Sequence, residues 1–325
     1  MKSSVRAFFE GIIDYAGLFP PARLSMAEAF RNYASYRVQP EAWMLGRFVC
    51  PASRLEELPP LADRLLASDS PFVIAVVGRG GATSSQFFDG LRADLDAVGA
   101  FDDRAPALID AFEVRLPPDI CAASEADTRQ FFLRITDLFE NHHHSLCRYF
   151  EAPQGNDWHE SVERVVGLLS DQRRAHAVNG HWSSRGFKLR CGGLERAVIP
   201  PVDDVAFALT RCRDHQVPFK ATAGLHRALR HFDPDLKSPV HGFLNLFGAG
   251  VLGHARQLSE PQVRLIVADE NPEDFAFNDE GFHWRDWHAT SAEIALARKS
   301  LVLSFGSCSF DEPREDLRNM GLLCR

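Results

Sequence analysis

Phe187-Lys188 and Phe219-Lys220 each place a lysine inside a short apolar run. Of 36 lysines and arginines only five are lysine: Lys2, Lys188, Lys220, Lys237 and Lys299. A lysine in an apolar run is therefore a selective use of the residue. Neighbouring strands lie ~5 Å apart, and burial and like charge both disfavour an ammonium, so one of two such lysines should drift towards the neutral amine. A neutral amine can attack a carbonyl and form a Schiff base, and the protonated imine is then an electron sink for making or breaking a C–C bond. Two other readings stand beside this one. Both lysines could form structural salt bridges with Glu113 and Glu151, or Lys188, Arg190 and Lys220 could hold an anionic substrate without covalent chemistry.

Further ionisable residues fall at the ends of similar runs: Asp14, Glu113 with Arg115, and Glu151, while His226 follows Lys220 closely. The two-residue period of a strand puts Glu113 and Arg115 on one face, and Lys188 and Arg190 on one face. Asp14-Tyr15 could be catalytic or could brace the structure.

These residues need strands to present them. Eight runs read as strands, each bounded by Gly, Pro or polar residues: Ile12–Phe19, Met44–Cys50, Phe72–Val77, Ala107–Leu116, Ser145–Glu151, Gly186–Arg190, Val217–Gly224 and Leu301–Gly306. Helical spacing fills most of the gaps, over 84–98, 124–141, 157–177 and 201–216, and Ser25-x-x-Glu28 and Thr290-x-x-Glu293 read as capping boxes. The strands from Val76 to Lys188 recur about every 37 residues, the length of a βα unit. Eight such units predict a (β/α)₈, TIM-type barrel in one domain over 1–325, with polar groups at the strand C-termini facing the site. No G-x-G-x-x-G follows the first strand, which argues against a doubly wound open sheet. The long interval before the last strand predicts an insertion at about 238–289, with an apolar helix over 242–257, a further segment over 262–275 and a hairpin turning at 278–281. The insertion could lid the site or make a homo-oligomer contact.

Composition narrows the partners. The net charge of -8 argues against nucleic acid and anionic membranes. Seven cysteines with no C-x-x-C spacing suit reduced thiols in the cytoplasm, and no apolar run reaches membrane-spanning length. A small-molecule, anionic substrate is the expected partner.

Weaker signals have bland alternatives. His142-His143-His144 reads as a solvated turn more readily than a metal site. His226, His231 and His241, with Asp14, Glu113 and Glu151, could bind a divalent cation, but no H-E-x-x-H spacing supports it, so neither a metal nor a cofactor is expected. Cys191 beside Arg190 could be activated or could be a small buried thiol. Gly78-Arg79-Gly80-Gly81 and Cys191-Gly192-Gly193 could bind an anion through backbone N–H groups, or could be tight strand exits.

Four motifs carry a resemblance. Phe219-Lys220-Ala221-Thr222-Ala223-Gly224-Leu225 resembles the seventh-strand Val-Lys-Ala-Ser-Gly-Gly-Ile motif of deoxyribose-phosphate aldolases. Phe187-Lys188-Leu189-Arg190-Cys191-Gly192 is similar in placement to their Lys-x-Ser-Thr-Gly motif. Ser304-Phe305-Gly306-Ser307-Cys308-Ser309 resembles their phosphate loop, and Glu113 stands where they have an aspartate. The resemblance implies a class I aldolase-like lyase in which Lys188 forms the imine, Lys220 lowers its pKa and Glu113 shuttles protons. It also implies that Gly224 and the Gly306-Ser307 turn approach a phosphate. Arg190-Cys191 replaces Ser-Thr, and the eighth strand lacks the family's leading arginine. Over most of its length the chain also resembles a bacterial family of uncharacterised proteins that carry I-D-Y-A-G-L-F-P-P-A, K-L-R-C-G-G and F-K-A-T-A-G-L-H.

The expectation is a Schiff-base lyase acting on a small carbonyl compound, free or phosphorylated. Lys188 or Lys220 forms the imine, and Glu113 and Glu151 handle protons. Asp14, Arg115, Arg190, Gly224, His226, Gly306 and Ser307 bind substrate. The alternatives are a non-covalent or metal-assisted isomerase or epimerase on the same carboxylates, and a barrel that binds a metabolite without turnover.

Overall fold

The computed structural model describes residues 2–65, 70–102, 107–142, 146–155, 157–178 and 185–324. His143 and His144 of the histidine triplet, and Ser145 at the head of the fifth run, lie outside them.

Thirteen strands occur among the described residues. They are β1 (Ile13–Tyr15), β2 (Leu45–Pro51), β3 (Phe72–Val77), β4 (Ala107–Arg115), β5 (Cys147–Glu151), β6 (Arg185–Arg190), β7 (Phe219–Thr222), β8 (His231–Asp233), β9 (Ser238–Val240), β10 (Phe275–Phe277), β11 (Gly281–Trp284), β12 (Trp287–Thr290) and β13 (Val302–Ser307). Eight of them close into a parallel barrel in the order β1-β13-β7-β6-β5-β4-β3-β2, with helices alternating along the chain. The fold is an α/β, (β/α)₈ barrel of the TIM type. Its strands fall on the eight apolar runs, most of them shifted or shortened by a residue or two at an end, while β2, β6 and β13 each reach one residue beyond their run. The first run narrows most, to three residues, before its prolines.

Close contacts group the chain into two compact units. One comprises 24–38 and 47–188 and carries most of β2, all of β3 to β5 and most of β6. Phe72–Val77 is apolar throughout, as a strand covered on both faces requires. Phe30, Tyr33, Phe48 and Phe72 pack ring on ring at its edge, with centroids 4.7 Å apart for Phe30 and Phe72. The helix Glu125–Asn141 starts where Ser124 Oγ accepts from Asp127 N–H, and it buries Phe131, Phe132, Ile135 and Phe139 on one face.

The other unit comprises 1–23, 39–46 and 189–325 and carries β1, β7 and β13. Between β7 and β13 lie the β8–β9 hairpin, the helix Phe243–Arg256, the helix Glu260–Ala268 and the antiparallel sheet β10-β11-β12. Phe243–Arg256 is apolar almost all round and is buried along most of its length. Its Gly250 lets it press onto Val302, where any side chain would collide. Thr290 and Glu293 form a complete capping box at the start of the helix Ser291–Ser300. From that helix Arg298 is buried and donates to the carbonyls of Phe8, Glu10, Val302 and Leu303, tying the N-terminal helix Ser3–Phe9 to β13. Among the described residues no helix is long and apolar enough to cross a membrane.

Candidate active site

Lys188 is the centre of the first ion cluster, within the unit spanning 47–188. Alternation along three strands puts it there. Phe112 packs on Phe139 and Phe150 on Phe132, both in the helix Glu125–Asn141, so Glu113 and Glu151 take the opposite face of the sheet. Glu151 is the register partner of Lys188 on β6, and Arg115 is the partner of Glu151 on β4. Lys188 Nζ lies 2.9 Å from Glu113 Oε2 and 3.6 Å from Glu151 Oε2. The three side chains are only 5–8% exposed, so this ammonium and its two carboxylates share a nearly dry site. Arg115, at the end of β4, is exposed.

Lys220 is the centre of the second cluster, in the other unit. Its Nζ lies 2.7 Å from Asp14 Oδ2, and Ser304 Oγ donates to that same oxygen at 2.7 Å. Lys188 makes the expected salt bridges to Glu113 and Glu151, and Lys220 makes one to Asp14. Asp14 is thus a buried partner of Lys220, which settles its position but assigns it no contact with a substrate.

The exits of β6 and β7 meet backbone on backbone. Cys191 N–H donates to Thr222 O at 2.8 Å, and a side chain at Gly224 would come within 2.8 Å of Gly192 Cα. Ala223 (φ 60°) and Gly224 (φ 73°) are both left-handed, and this ends β7 at Thr222. Beyond that turn opens a cleft of about 960 Å³. Gly192, Gly193, Gly224 and His226 line it, together with the β8–β9 hairpin and the helix Asp311–Asn319. Arg190 is exposed, and its Nη1 donates to Gly192 O at 3.3 Å.

Ser307, one of the expected binding groups, is engaged by its own turn and by the exit of β1. Ser307 Oγ donates to Ser309 O at 2.7 Å, and Ala16 N–H donates to Ser307 O at 2.7 Å. Gly306 sits beside Thr222, its register partner. His226 Nδ1 is 2.8 Å from Glu312 Oε2. A hydrogen bond with Cys308, and then the Glu312 carboxylate, push the His226 pKa up to about 9. Cys308 and Glu312 escaped the sequence reading. Cys308 stood inside a quoted strand-exit motif, which was a usable signal, while Glu312 had none of its own.

The remaining candidates make contacts of their own. His241 is fully buried with Nε2 2.7 Å from Pro200 O, and burial lowers its pKa to about 4. The His231 ring nitrogen Nδ1 lies 2.9 Å from Leu229 O. His142 caps the helix Glu125–Asn141, with Nδ1 2.7 Å from Leu138 O. Cys191 is buried, its Sγ 3.7 Å from Leu189 O. In the Gly78–Gly81 turn Arg79 N–H donates to Asp94 at 2.8 Å and the Arg79 side chain pairs with the same carboxylate. Burial raises the Asp94 pKa. Among the described residues no group of three or more His, Cys, Asp or Glu is arranged to hold a metal ion.

No known family model matches the chain, and no curated protein matches its sequence.

Proposed function

We propose that this barrel is a Schiff-base lyase of the class I aldolase type, with Lys188 as its nucleophile. The observation that carries the reading is the placement of Lys188 Nζ between Glu113 Oε2 at 2.9 Å and Glu151 Oε2 at 3.6 Å at the C-terminal ends of barrel strands, where barrel enzymes hold their chemistry. Lys188 is preferred to Lys220 on enclosure. The Lys220 side chain is 1% exposed and its partner Asp14 also accepts from Ser304, whereas the Lys188 side chain keeps 8% exposure.

Glu113 takes a proton from the Lys188 ammonium, and the free amine adds to the substrate carbonyl. Loss of water, with a proton returned by a carboxylate, leaves the protonated imine. The imine draws electrons from the adjacent C–C bond as it breaks, and Glu151 protonates or deprotonates the carbon fragment. Water then releases the product and restores the lysine. The substrate is a small aldehyde or ketone, free or phosphorylated, with Arg115 supplying positive charge at the exposed end of β4.

Two carboxylates around one ammonium also suit a proton-shuttling isomerase or epimerase. Borohydride reduction in the presence of a panel of small carbonyl compounds separates the two. A lyase of this type gives a stable secondary amine on the protein, lost in K188R. An isomerase that never forms an imine gives none.

A further inference from the structure

The sheet β10-β11-β12 carries two histidines that the lysine chemistry does not use. We infer that His283 and His288 form a binding site for a divalent transition-metal ion of the zinc, nickel or copper kind, which staples β11 to β12.

Strand register brings the two rings together. Trp284 pairs with Trp287 across the two-residue turn Arg285-Asp286, in which Arg285 is left-handed (φ 49°). His283 then stands directly opposite His288. On the same two strands Ser291 N–H donates to Glu280 O at 3.2 Å, and on the other side of β11 Arg285 N–H donates to Asp274 O at 3.1 Å. Hydrogen-bonded and non-hydrogen-bonded pairs alternate along an antiparallel ladder. Both bonds therefore put the β11–β12 hydrogen bonds at Phe282/Ala289 and Trp284/Trp287, and leave His283/His288 as a non-hydrogen-bonded pair. Pairs of that kind bring side chains closest, with Cβ atoms ~4.5–5.5 Å apart. The two imidazole rings lie with centroids 5.5 Å apart and planes 20° from parallel.

The surroundings suit a cation. Phe282, Trp284 and Ala289 are buried, so alternation turns His283 and His288 to the other face of the sheet. There His288 is exposed and His283 half-buried. Imidazole nitrogen is a preferred donor for these ions, at about 2.0–2.1 Å in the case of zinc. With the centroids 5.5 Å apart, a turn of the exposed His288 ring brings one nitrogen of each ring to a single ion. His283 Nε2 is buried and has no hydrogen-bond partner among the described residues, a costly state that ligation would relieve. Asp279, Glu280 and Asp286, in the turns at the two ends of β11, are exposed. Arg285 is already paired with Asp269 and Asp274, so the local field favours positive charge. Two protein ligands make an open site, with water in the remaining positions. β12 has only β11 beside it in the sheet, so the ion adds a second tie to an edge strand.

The probe is nickel(II), titrated calorimetrically into the full chain at mildly alkaline pH, where imidazoles are free to ligate. The chain has 13 histidines, so the site is read as the difference between the wild type and H288F. Phenylalanine keeps a ring against His283 and removes the nitrogen. The wild type should bind one equivalent of nickel more than H288F. H283Q should lose the same equivalent, and H283Q/H288F should lose no more than either single change, because a chelate needs both rings. His288→Cys, which supplies a thiolate at the same place, should restore it. Nickel should also raise the urea midpoint of the wild type by more than that of H288F. H288F binding nickel as the wild type does, or a loss in H288F that H283Q does not share, would overturn the inference. Trapping of a carbonyl on Lys188 needs no metal, so neither outcome bears on the lyase reading.

Discussion

Lys220 Nζ sits 2.7 Å from Asp14 Oδ2, and both side chains are 1% exposed. This pair joins β1 to β7 by charge within one unit, and it accounts for a lysine and an aspartate that each looked chemical in isolation. Removing one partner of such a pair strands the other charge in a dry site, at a cost of about 3–5 kcal/mol. K220M and D14L should each lose about that much stability in urea unfolding, and K220M/D14L should lose less than either single change. Additive losses would mean that the pair does not act as a unit.

The turn after β7 predicts a sharp intolerance of side chains. Gly224 is left-handed and faces the Gly192 backbone, so Gly224→Ala combines backbone strain with a collision at 2.8 Å from Gly192 Cα. The variant should lose more than about 1 kcal/mol in chemical denaturation. A neutral Gly224→Ala would show that the two strand exits are free to separate.

His226 predicts a pH signature. Its pKa is raised from 6.5 to about 9 by Cys308 and Glu312. A group whose folded pKa lies above its unfolded value adds stability fully below the unfolded pKa and loses it as pH climbs through the folded one. The wild-type chain should therefore exceed H226Q in urea midpoint by its largest margin near pH 6. That margin should shrink between about pH 6.5 and 9 and vanish near pH 10. A constant margin across this range would remove the charge from the account.

How much of this was legible in the sequence follows from what each feature depends on. Phe72–Val77 and Ala107–Arg115 announce themselves as buried parallel strands because their apolar runs are local. Glu113, Glu151 and Lys188 were visible as charges that such strands would not carry casually, and spacing alone placed them at strand ends. Pairing was not legible: nothing near Lys220 says that its carboxylate stands more than two hundred residues earlier, at Asp14. The β8–β9 hairpin was also hidden. His231–Asp233 and Ser238–Val240 are only three residues each, too short for an alternation to read, and the second contains a proline. Glu312 was hidden for a third reason. An exposed glutamate in a helix's first turn is ordinary, and only the fold brings His226 to it.

If Lys188 forms a covalent bond to a carbonyl substrate, borohydride reduction in the presence of small aldehydes, ketones and their phosphates, followed by site-resolved peptide mass, should leave an adduct on Lys188 and none on Lys220. The adduct should be lost in K188R, and trapping should be slower in E113Q, where the group that takes the proton is gone. No adduct on Lys188 with any carbonyl in the panel, or an adduct that survives in K188R, would contradict it.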